Sequence, residues 1–298
     1  MQGDIDLGEC MKIIDIIKGD KPSLSFEVFP PKTSANYESV KEASEKIALL
    51  KPSFMSVTYG AGGGTSEYTV SIAKNVQNNC GVTALAHLTC VNSTKEEVRA
   101  RLKALKENGI ENILALRGDI VAGNENREKW DYQHANELVE EIKAYGDFCI
   151  GGACYPEGHT ESSCQKEDIL NLKKKVDAGC SFLTTQMFFD NNILYNFIYK
   201  IREAGITVPI VAGIMPVTNA KQIARSCQLS GTYLPQRFKT IVDRYADNPD
   251  AMKQAGIAYA TEQIIDLFAN GINAVHVYSM NKEDVARKIQ SNISEIIK

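Results

Sequence analysis

A recurring unit of a helical stretch, a glycine and a short apolar run constrains the fold of this 298-residue chain more than any other feature. The clearest copies are ENGIENILAL (107–116), DAGCSFLTTQ (177–186), EAGITVPIVA (203–212) and ANGINAVHVY (269–278). A glycine just past a helix can adopt the left-handed conformation that ends the helix. Each copy therefore predicts a helix, a stop and a strand.

Eight apolar runs can be counted, and helical patterns separate them. The runs are LSFEVF (24–29), FMSVTYG (54–60), TALAHLTC (83–90), NILALRGD (112–119), CIGGACYP (149–156), FLTTQMFF (182–189), PIVAGIMP (209–216) and NAVHVYSM (273–280). The helical stretch at 94–109 opens with a Thr94/Glu97 capping box. Alternating strands and helices imply a parallel sheet, and eight such units imply an α/β fold with a single (β/α)8 TIM barrel.

The domain organisation follows from the spacing of these units. The interval between the seventh and eighth runs is the longest, so we expect an extra helical insertion between strands 7 and 8, at about 231–256. Residues 1–20 are expected to form an N-terminal helical extension, and 282–298 the eighth helix. The polar segment 120–133 is expected to cover the barrel mouth. One catalytic domain over residues 1–298 is predicted.

Composition excludes several classes of function. The chain has 33 Lys and Arg against 37 Asp and Glu, a net charge of −4, so nucleic acid and anionic membranes are not expected partners. No apolar window approaches the roughly 18 residues of a membrane helix, and MQGDIDLGEC is not a secretion signal, so a cytoplasmic location is expected. The cysteines lack the paired spacing of zinc or iron–sulfur sites, and no metal is expected.

Polar side chains fall at or near the ends of seven of the eight runs. In a (β/α)8 barrel the chemistry lies at the carboxyl ends of the strands, whereas the interior is expected to hold apolar side chains. The residues concerned are Glu27, Thr58 with Tyr59, His87, Arg117 with Asp119, Tyr155 with nearby His159, Gln186, and Tyr278. Their convergence on one rim predicts a single site.

Glu27 is the most informative of these residues because it interrupts the apolar strand of SFEVFPPK (25–32). An ionised carboxylate is costly to bury unless it is paired or its pKa moves. With no evident Ser-His or Cys-His pair, the set favours proton transfer beside an organic cofactor. Structural interpretations stay open at this point: Glu27 paired with an arginine, His87 as a satisfied structural histidine, and Tyr278 as rim packing.

Nine motifs then carry a resemblance to a known family. SFEVFPPK, SVTYGAGG, AHLTC, LALRGD, YPEGH, LKKKVDAG, TQMFFD, GIMPV and HVYSMN follow one another from about residue 22 to 282. This combination closely resembles the flavin-dependent 5,10-methylenetetrahydrofolate reductases of bacteria. The resemblance implies a (β/α)8 barrel that binds FAD and reduces 5,10-methylenetetrahydrofolate to 5-methyltetrahydrofolate in one-carbon and methionine metabolism.

The resemblance also implies roles for individual residues. Glu27 matches the general acid that protonates N10 of the folate, and Asp119 matches a carboxylate beside the flavin and the pterin. The positions expected to hold FAD are Thr58, Tyr59, Ala61, His87, Arg117, Gly118, Asp119, His134, Ala135, Tyr155, His159, Asp168, Asn171, Lys174 and Lys175. Folate is expected to contact Gln186, Gln222, Tyr278 and Lys282.

The electron donor stays open between NADH, NADPH and a redox partner protein or subunit. Ser226 stands where some relatives have a phenylalanine that stacks on the nicotinamide dinucleotide, and Met280 replaces a common leucine. Both departures weaken the case for NADH as direct donor. A homo-oligomer is expected. The alternative functions are a cofactor-free barrel lyase or isomerase, with Glu27 as base and His87 as electrophile, and a non-catalytic subunit of a larger reductase.

Overall fold

The computed structural model describes residues 11–31, 33–59, 66–91, 93–120 and 130–298. Within these ranges eight strands close into a parallel barrel, in which consecutive strands pair and the last pairs with the first. The strands are β1 (Ser23–Val28), β2 (Met55–Val57), β3 (Ala84–Thr89), β4 (Asn112–Leu116), β5 (Cys149–Cys154), β6 (Phe182–Thr185), β7 (Ile210–Ile214) and β8 (Ala274–Val277). The predicted (β/α)8 barrel is confirmed.

Helices surround the barrel. They are α1 (Ile13–Ile17), α2 (Tyr37–Ala48), α3 (Ser66–Lys74), α4 (Lys95–Glu107), α5 (Ala135–Tyr145), α6 (Gln165–Ala178), α7 (Asn191–Glu203), α8 (Ala220–Ser230), α9 (Gln236–Tyr245), α10 (Pro249–Ala269) and α11 (Glu283–Asn292). Three of them, α8 to α10, lie in the connection between β7 and β8. None of the described helices is long and apolar enough to cross a membrane.

The local signals in the sequence explain where several helices begin and end. Thr94 and Glu97 form the predicted capping box at the start of α4, with both reciprocal hydrogen bonds present. After α4, α7 and α10, the glycines of the repeated unit have positive φ: Gly109 at 74°, Gly205 at 79° and Gly271 at 81°. Glycine adopts this conformation without the steric penalty of a Cβ, so each helix ends and the chain turns into the next strand.

Some boundaries differ from expectation. The last helix, expected over 282–298, spans Glu283–Asn292 and is followed by turns. Of the expected helical extension over residues 1–20, the described part contains the short helix α1, and residues 1–10 lie outside it. Most of the 120–133 segment also lies outside the described residues. The strands are shorter than the apolar runs because barrel pairing ends before the rim residues, so Arg117, Tyr155, Gln186 and Tyr278 follow their strands.

The lower end of the barrel is closed by α1. Ile13 and Ile17 are buried against an apolar layer formed by the strands and the residues just before them. This layer includes Phe54, Leu85 and Phe182. Asn112, at the start of β4, holds this segment in place. Its Oδ1 accepts from Ile13 N at 2.8 Å, and its Nδ2 donates to Met11 O at 3.1 Å.

Replacement of Asn112 by alanine should destabilise the protein by about 1–3 kcal/mol, because the buried Ile13 amide would lose its acceptor. Lys12→Ala is the matched control. It removes an ion pair on the same segment, Lys12 to Asp147 at 2.7 Å, in which the aspartate side chain is 88% exposed. Surface pairs of this kind contribute little. Urea unfolding measures both variants, and an equal loss of stability in the two would contradict the assignment.

Candidate active site

The interior of the upper barrel is polar, contrary to the apolar interior expected from the sequence. Phe26 and Val28 belong to the core cluster that includes the surrounding helices, so the alternate residues of β1, Ser25 and Glu27, face inward. The strand register places Ser25 opposite His276, and Glu27 opposite Ser56. Four polar side chains from three strands therefore meet inside the barrel.

A continuous chain of hydrogen bonds links these groups. Ser25 Oγ lies 2.7 Å from His276 Nδ1, and Ser56 Oγ lies 2.8 Å from His276 Nε2. Ser56 lies beside Glu27 in the β1–β2 register, where its hydroxyl acts on the Glu27 carboxyl through a side-chain hydrogen bond. The His276 ring stacks on Phe54 of the lower layer, with 5.5 Å between ring centroids. Ser25, Ser56 and His276 were not predicted as site residues from the sequence. The available signal was their spacing: each lies two residues before a predicted site residue, and such a pair shares one face of a strand.

Glu27 is a buried carboxyl group beside a buried histidine. Glu27 is 7% exposed, and burial raises the pKa of its carboxyl group to about 8. His87 Nε2 lies 3.6 Å from Glu27 Oε2. Burial lowers the pKa of His87 to about 3, so at neutral pH both groups are uncharged and the contact is not an ion pair. Glu27 is thus an acid that retains its proton at neutral pH.

The loop after β8 is attached to the end of β1. Ser279 Oγ donates to Glu27 O at 2.6 Å, and the Asn281 side chain accepts from Phe29 N at 2.7 Å and donates to Phe29 O at 3.0 Å. Met280 and Asn281 both have positive φ, at 54° and 58°, which non-glycine residues rarely adopt. The loop carries Lys282, whose Nζ donates to Thr218 Oγ1 at 2.6 Å.

Tyr278 completes the rim above His276. Its hydroxyl donates to Thr185 O, and burial raises its pKa well above the usual value. Gly213 of β7 makes room for it, because a Cβ there would lie 2.2 Å from the Tyr278 hydroxyl oxygen. Gln186, just after β6, accepts through Oε1 from Met187 N at 2.8 Å. Gln222 lies exposed in the first turn of α8.

A cavity of about 590 Å³ opens on the rim across β4, β5 and α6. Twelve of the residues predicted to hold a cofactor line it: Tyr59, Arg117, Gly118, Asp119, His134, Ala135, Tyr155, His159, Asp168, Asn171, Lys174 and Lys175. Thr58 and His87 are buried in their barrel segments and do not line this cavity, and Ala61 lies outside the described residues. Spacing explains the contribution of α6, since Asp168, Asn171 and Lys175 recur on one helix face.

The cavity contains cationic groups with defined partners. Arg117 forms a bidentate pair with Glu161, both distances being 2.6 Å, and this pairing raises the pKa of the guanidinium. Lys175 Nζ donates to Ala153 O at 2.6 Å, and burial lowers its pKa. Burial also raises the pKa of Asp168, which accepts from Ser162 Oγ at 3.3 Å. Glu161 was not identified from the sequence, where it is one of many charged loop residues.

One residue of the cavity lining has a backbone conformation that requires glycine. Gly118 has φ of 90°, and a Cβ there would lie 2.9 Å from Thr89 Cβ. The positive φ and the close packing against Thr89 both require glycine at this position of the cavity lining. Across the described residues, no three His, Cys, Asp or Glu side chains group as metal ligands.

Comparison of the fold with solved structures supports the barrel. A Clostridium thermocellum protein, described as binding two copies of 5-methyl-5,6,7,8-tetrahydrofolic acid, aligns with a TM-score of 0.67 over 96% of this chain and 99% of that chain. An oxaloacetate acetylhydrolase aligns with a TM-score of 0.55. Sequence identities are 15% and 11%, so these likenesses show the fold alone.

Sequence comparisons are more specific. Methylenetetrahydrofolate reductase (NADH) 1 of Zea mays is 37% identical over 96% of this chain and 50% of its own length. The 5,10-methylenetetrahydrofolate reductase of Escherichia coli K12 is 36% identical over 90% of this chain and 89% of its own length. This chain spans about half the length of the plant relatives that it matches. The family model for methylenetetrahydrofolate reductase matches residues 12–294, and the chain belongs to that family.

Proposed function

We propose that this protein is a flavoenzyme that reduces 5,10-methylenetetrahydrofolate to 5-methyltetrahydrofolate, with Glu27 as general acid. The observation that carries the proposal is the buried, neutral Glu27 at the inner rim of the barrel. A carboxyl group with a pKa near 8 is a competent proton donor at neutral pH. Family membership supports the substrate, and the names of the E. coli and maize relatives agree with it.

The cavity fits a cofactor that carries phosphates and a ribose. Lys174 and Lys175 supply ammonium groups, and Arg117 supplies a guanidinium held by Glu161; such groups suit a diphosphate. Asp168 suits a ribose hydroxyl, and Gly118 adds no side chain to the lining. His87 lies outside this lining, beside Glu27, and its buried Nε2 has no hydrogen-bond partner among the described residues, so a polar atom of a ligand at the barrel mouth would satisfy it. FAD meets these requirements, and when bound in its reduced form it supplies a hydride.

The protein residues then have separate roles in the folate reaction. Glu27 delivers its proton to N10 as the bond between N10 and the one-carbon unit breaks, which opens the five-membered ring to a 5-iminium cation. The carboxylate of Asp119 stabilises the positive charge on that cation. Hydride addition to the iminium carbon yields the 5-methyl product. Gln186 is assigned to orient the pterin, and Lys282 to meet the acidic glutamate tail.

Two alternatives make different predictions. A cofactor-free lyase or isomerase would use Glu27 as base, but a carboxyl group that keeps its proton up to about pH 8 is poorly suited to that role. Purified protein that lacks flavin and cannot be loaded with FAD would favour this alternative. A non-catalytic subunit would show no loss of folate reduction in its parent complex when Glu27 is replaced.

Glu27→Gln should abolish folate reduction, because the amide cannot donate the required proton, while flavin binding and flavin reduction by the electron donor stay largely intact. Separate half-reactions, followed by flavin absorbance, make the comparison. Loss of flavin together with loss of activity would assign Glu27 a structural role.

The rate of the folate half-reaction should fall as the pH rises through about 8, since the acid form of Glu27 is lost there. Flavin reduction by the donor does not use this proton and should not follow the same titration. Stopped-flow rates of both half-reactions between mildly acidic and alkaline pH provide the test. A folate half-reaction that is independent of pH across this range would exclude Glu27 as the acid.

Lys175→Met should weaken FAD binding about tenfold or more, because a charge-assisted hydrogen bond is worth about 1.5–3 kcal/mol. Lys173→Met is the matched control, since Lys173 lies two residues away on the same helix and pairs with Asp177 at 2.9 Å outside the cavity lining. Titration of each apoprotein with FAD, followed by flavin fluorescence, measures the affinity. Equal affinities would remove Lys175 from the proposed cofactor site.

The donor is assigned first to NADH, the donor named for the plant relatives. Anaerobic mixing of the oxidised protein with NADH should bleach the flavin, with NADPH and reduced ferredoxin as comparison donors. Bleaching by ferredoxin and not by either nicotinamide would point to a redox partner. Ser226, half-buried on α8 where some relatives have the stacking phenylalanine, makes weak NADH affinity the expected result.

A further inference from the structure

The hydrogen-bond chain below Glu27 has a direction, and this direction bears on the acid that the proposed function requires. The chain runs from the main-chain oxygen of Val275 through Ser25, His276 and Ser56 to Glu27. All four side chains are buried, with His276 at 2% exposure. Each hydroxyl has a single hydrogen, so the direction of one bond determines the next.

The direction is set at the lower end. A carbonyl oxygen can only accept, so the 3.0 Å contact between Ser25 Oγ and Val275 O requires Ser25 to donate its hydrogen there. The Ser25 oxygen then has only lone pairs to offer His276 Nδ1, so it is an acceptor in that contact. The 2.7 Å contact between them is a hydrogen bond only if Nδ1 carries the ring proton.

The direction then passes through the imidazole ring. Burial lowers the pKa of His276 to about 3, so the ring is neutral at ordinary pH and holds one proton, at Nδ1. Its Nε2 is therefore an acceptor, and Ser56 donates to it at 2.8 Å. The single hydrogen of Ser56 is thus committed to His276. Towards Glu27 the Ser56 oxygen can only accept.

We propose that this chain holds Glu27 in its protonated form, with Ser25 and His276 as positioning residues that turn Ser56 into an acceptor for the carboxyl hydrogen. A Ser56 hydroxyl that was free to rotate would donate to the carboxylate and lower the pKa of Glu27. Because its hydrogen is donated to His276, Ser56 instead accepts from the protonated carboxyl group and favours the acid form of Glu27. If Glu27 ionised, its carboxylate and the Ser56 oxygen would face each other as two acceptors with no hydrogen between them. Reversing the chain to relieve this contact would require Ser25 to give up its bond to Val275 O.

The other titratable groups that face Glu27 do not supply an alternative stabiliser for its carboxylate. His87 of β3 is neutral, and its Nε2 at 3.6 Å is beyond normal hydrogen-bond distance. Tyr278, just after β8, donates its hydroxyl hydrogen to Thr185 O. Among the described residues, burial and the bond with Ser56 are the influences that shift the pKa of Glu27.

The first test measures the tautomer of His276 directly. Nitrogen-15 NMR of histidine-labelled protein at neutral pH should show Nδ1 protonated and Nε2 unprotonated, with the His276 signals assigned by their loss in His276→Phe. The opposite tautomer, or a doubly protonated ring, would overturn the proposal. The tautomer is read from the wild-type protein, and His276→Phe serves only to assign the signals.

The second test measures the protonation of Glu27. The infrared band of its protonated carboxyl group is identified by difference against Glu27→Gln and followed with pH. In Ser25→Ala and His276→Phe, the Ser56 hydroxyl becomes available to the carboxylate, so the midpoint should fall by about one pH unit, a tenfold rise in the acid dissociation constant. Unchanged midpoints in both variants, shown to be folded by circular dichroism, would overturn the proposal.

Ser23→Ala is the matched control for these variants. Ser23 lies buried on the same strand, two residues before Ser25, and its hydroxyl has no hydrogen-bond partner among the described residues. Its removal should leave the midpoint of Glu27 at the wild-type value. A midpoint in Ser23→Ala that fell as far as in Ser25→Ala would attribute the effect to repacking of the strand.

Neither measurement requires cofactor or folate, so the two proposals can fail separately. Shifted midpoints in a protein that never reduces folate would retain the hydrogen-bond chain and reject the reductase assignment. Folate reduction by the wild type, with unshifted midpoints in the variants, would retain the reductase and reject the chain. In active protein, His276→Phe should also move the pH profile of the folate half-reaction to lower pH while leaving flavin reduction by the donor unchanged.

Discussion

The pairing of β1 with β8 is the interaction on which the site depends. It closes the barrel and brings residues that are about 250 positions apart in the chain into hydrogen-bond contact: Ser25 with His276, Glu27 with Ser279, and Phe29 with Asn281. Parallel pairing also places the carboxyl ends of all eight strands on the same rim. The rim residues of separate strands can converge only because this ring is closed.

The barrel interior has an apolar lower layer and a polar upper layer, and different interactions stabilise the two. The lower layer is apolar, is closed by α1 and stabilises the fold by burial. The upper layer contains serines, histidines and a carboxyl group, which are costly to bury unless each finds a partner. Stacking of His276 on Phe54 joins the two layers, so the apolar floor supports the polar chain above it. His87 Nε2, which lies next to Glu27, has no such partner among the described residues.

Much of the fold could be predicted because its signals are local. The glycines at 109, 205 and 271 end their helices by their own conformational freedom, and the Thr94 capping box requires four consecutive residues. The polar residues at the strand ends were recognised for the same reason. Other features could not be read in this way. The Arg117–Glu161 pair joins residues 44 positions apart, and nothing near either residue in the chain marks the other as its partner.

The sequence by itself determined the eight alternating units, the parallel barrel that they imply, and the presence of a carboxyl group in an apolar strand at its rim. Only the tertiary structure decided the protonation of that carboxyl group. The pKa of Glu27 depends on burial and on the direction of hydrogen bonds through Ser56, His276 and Ser25, which three strands contribute. The physical reason is that local propensity acts between neighbours in the chain, whereas desolvation and hydrogen-bond direction depend on groups that meet only after the barrel has closed.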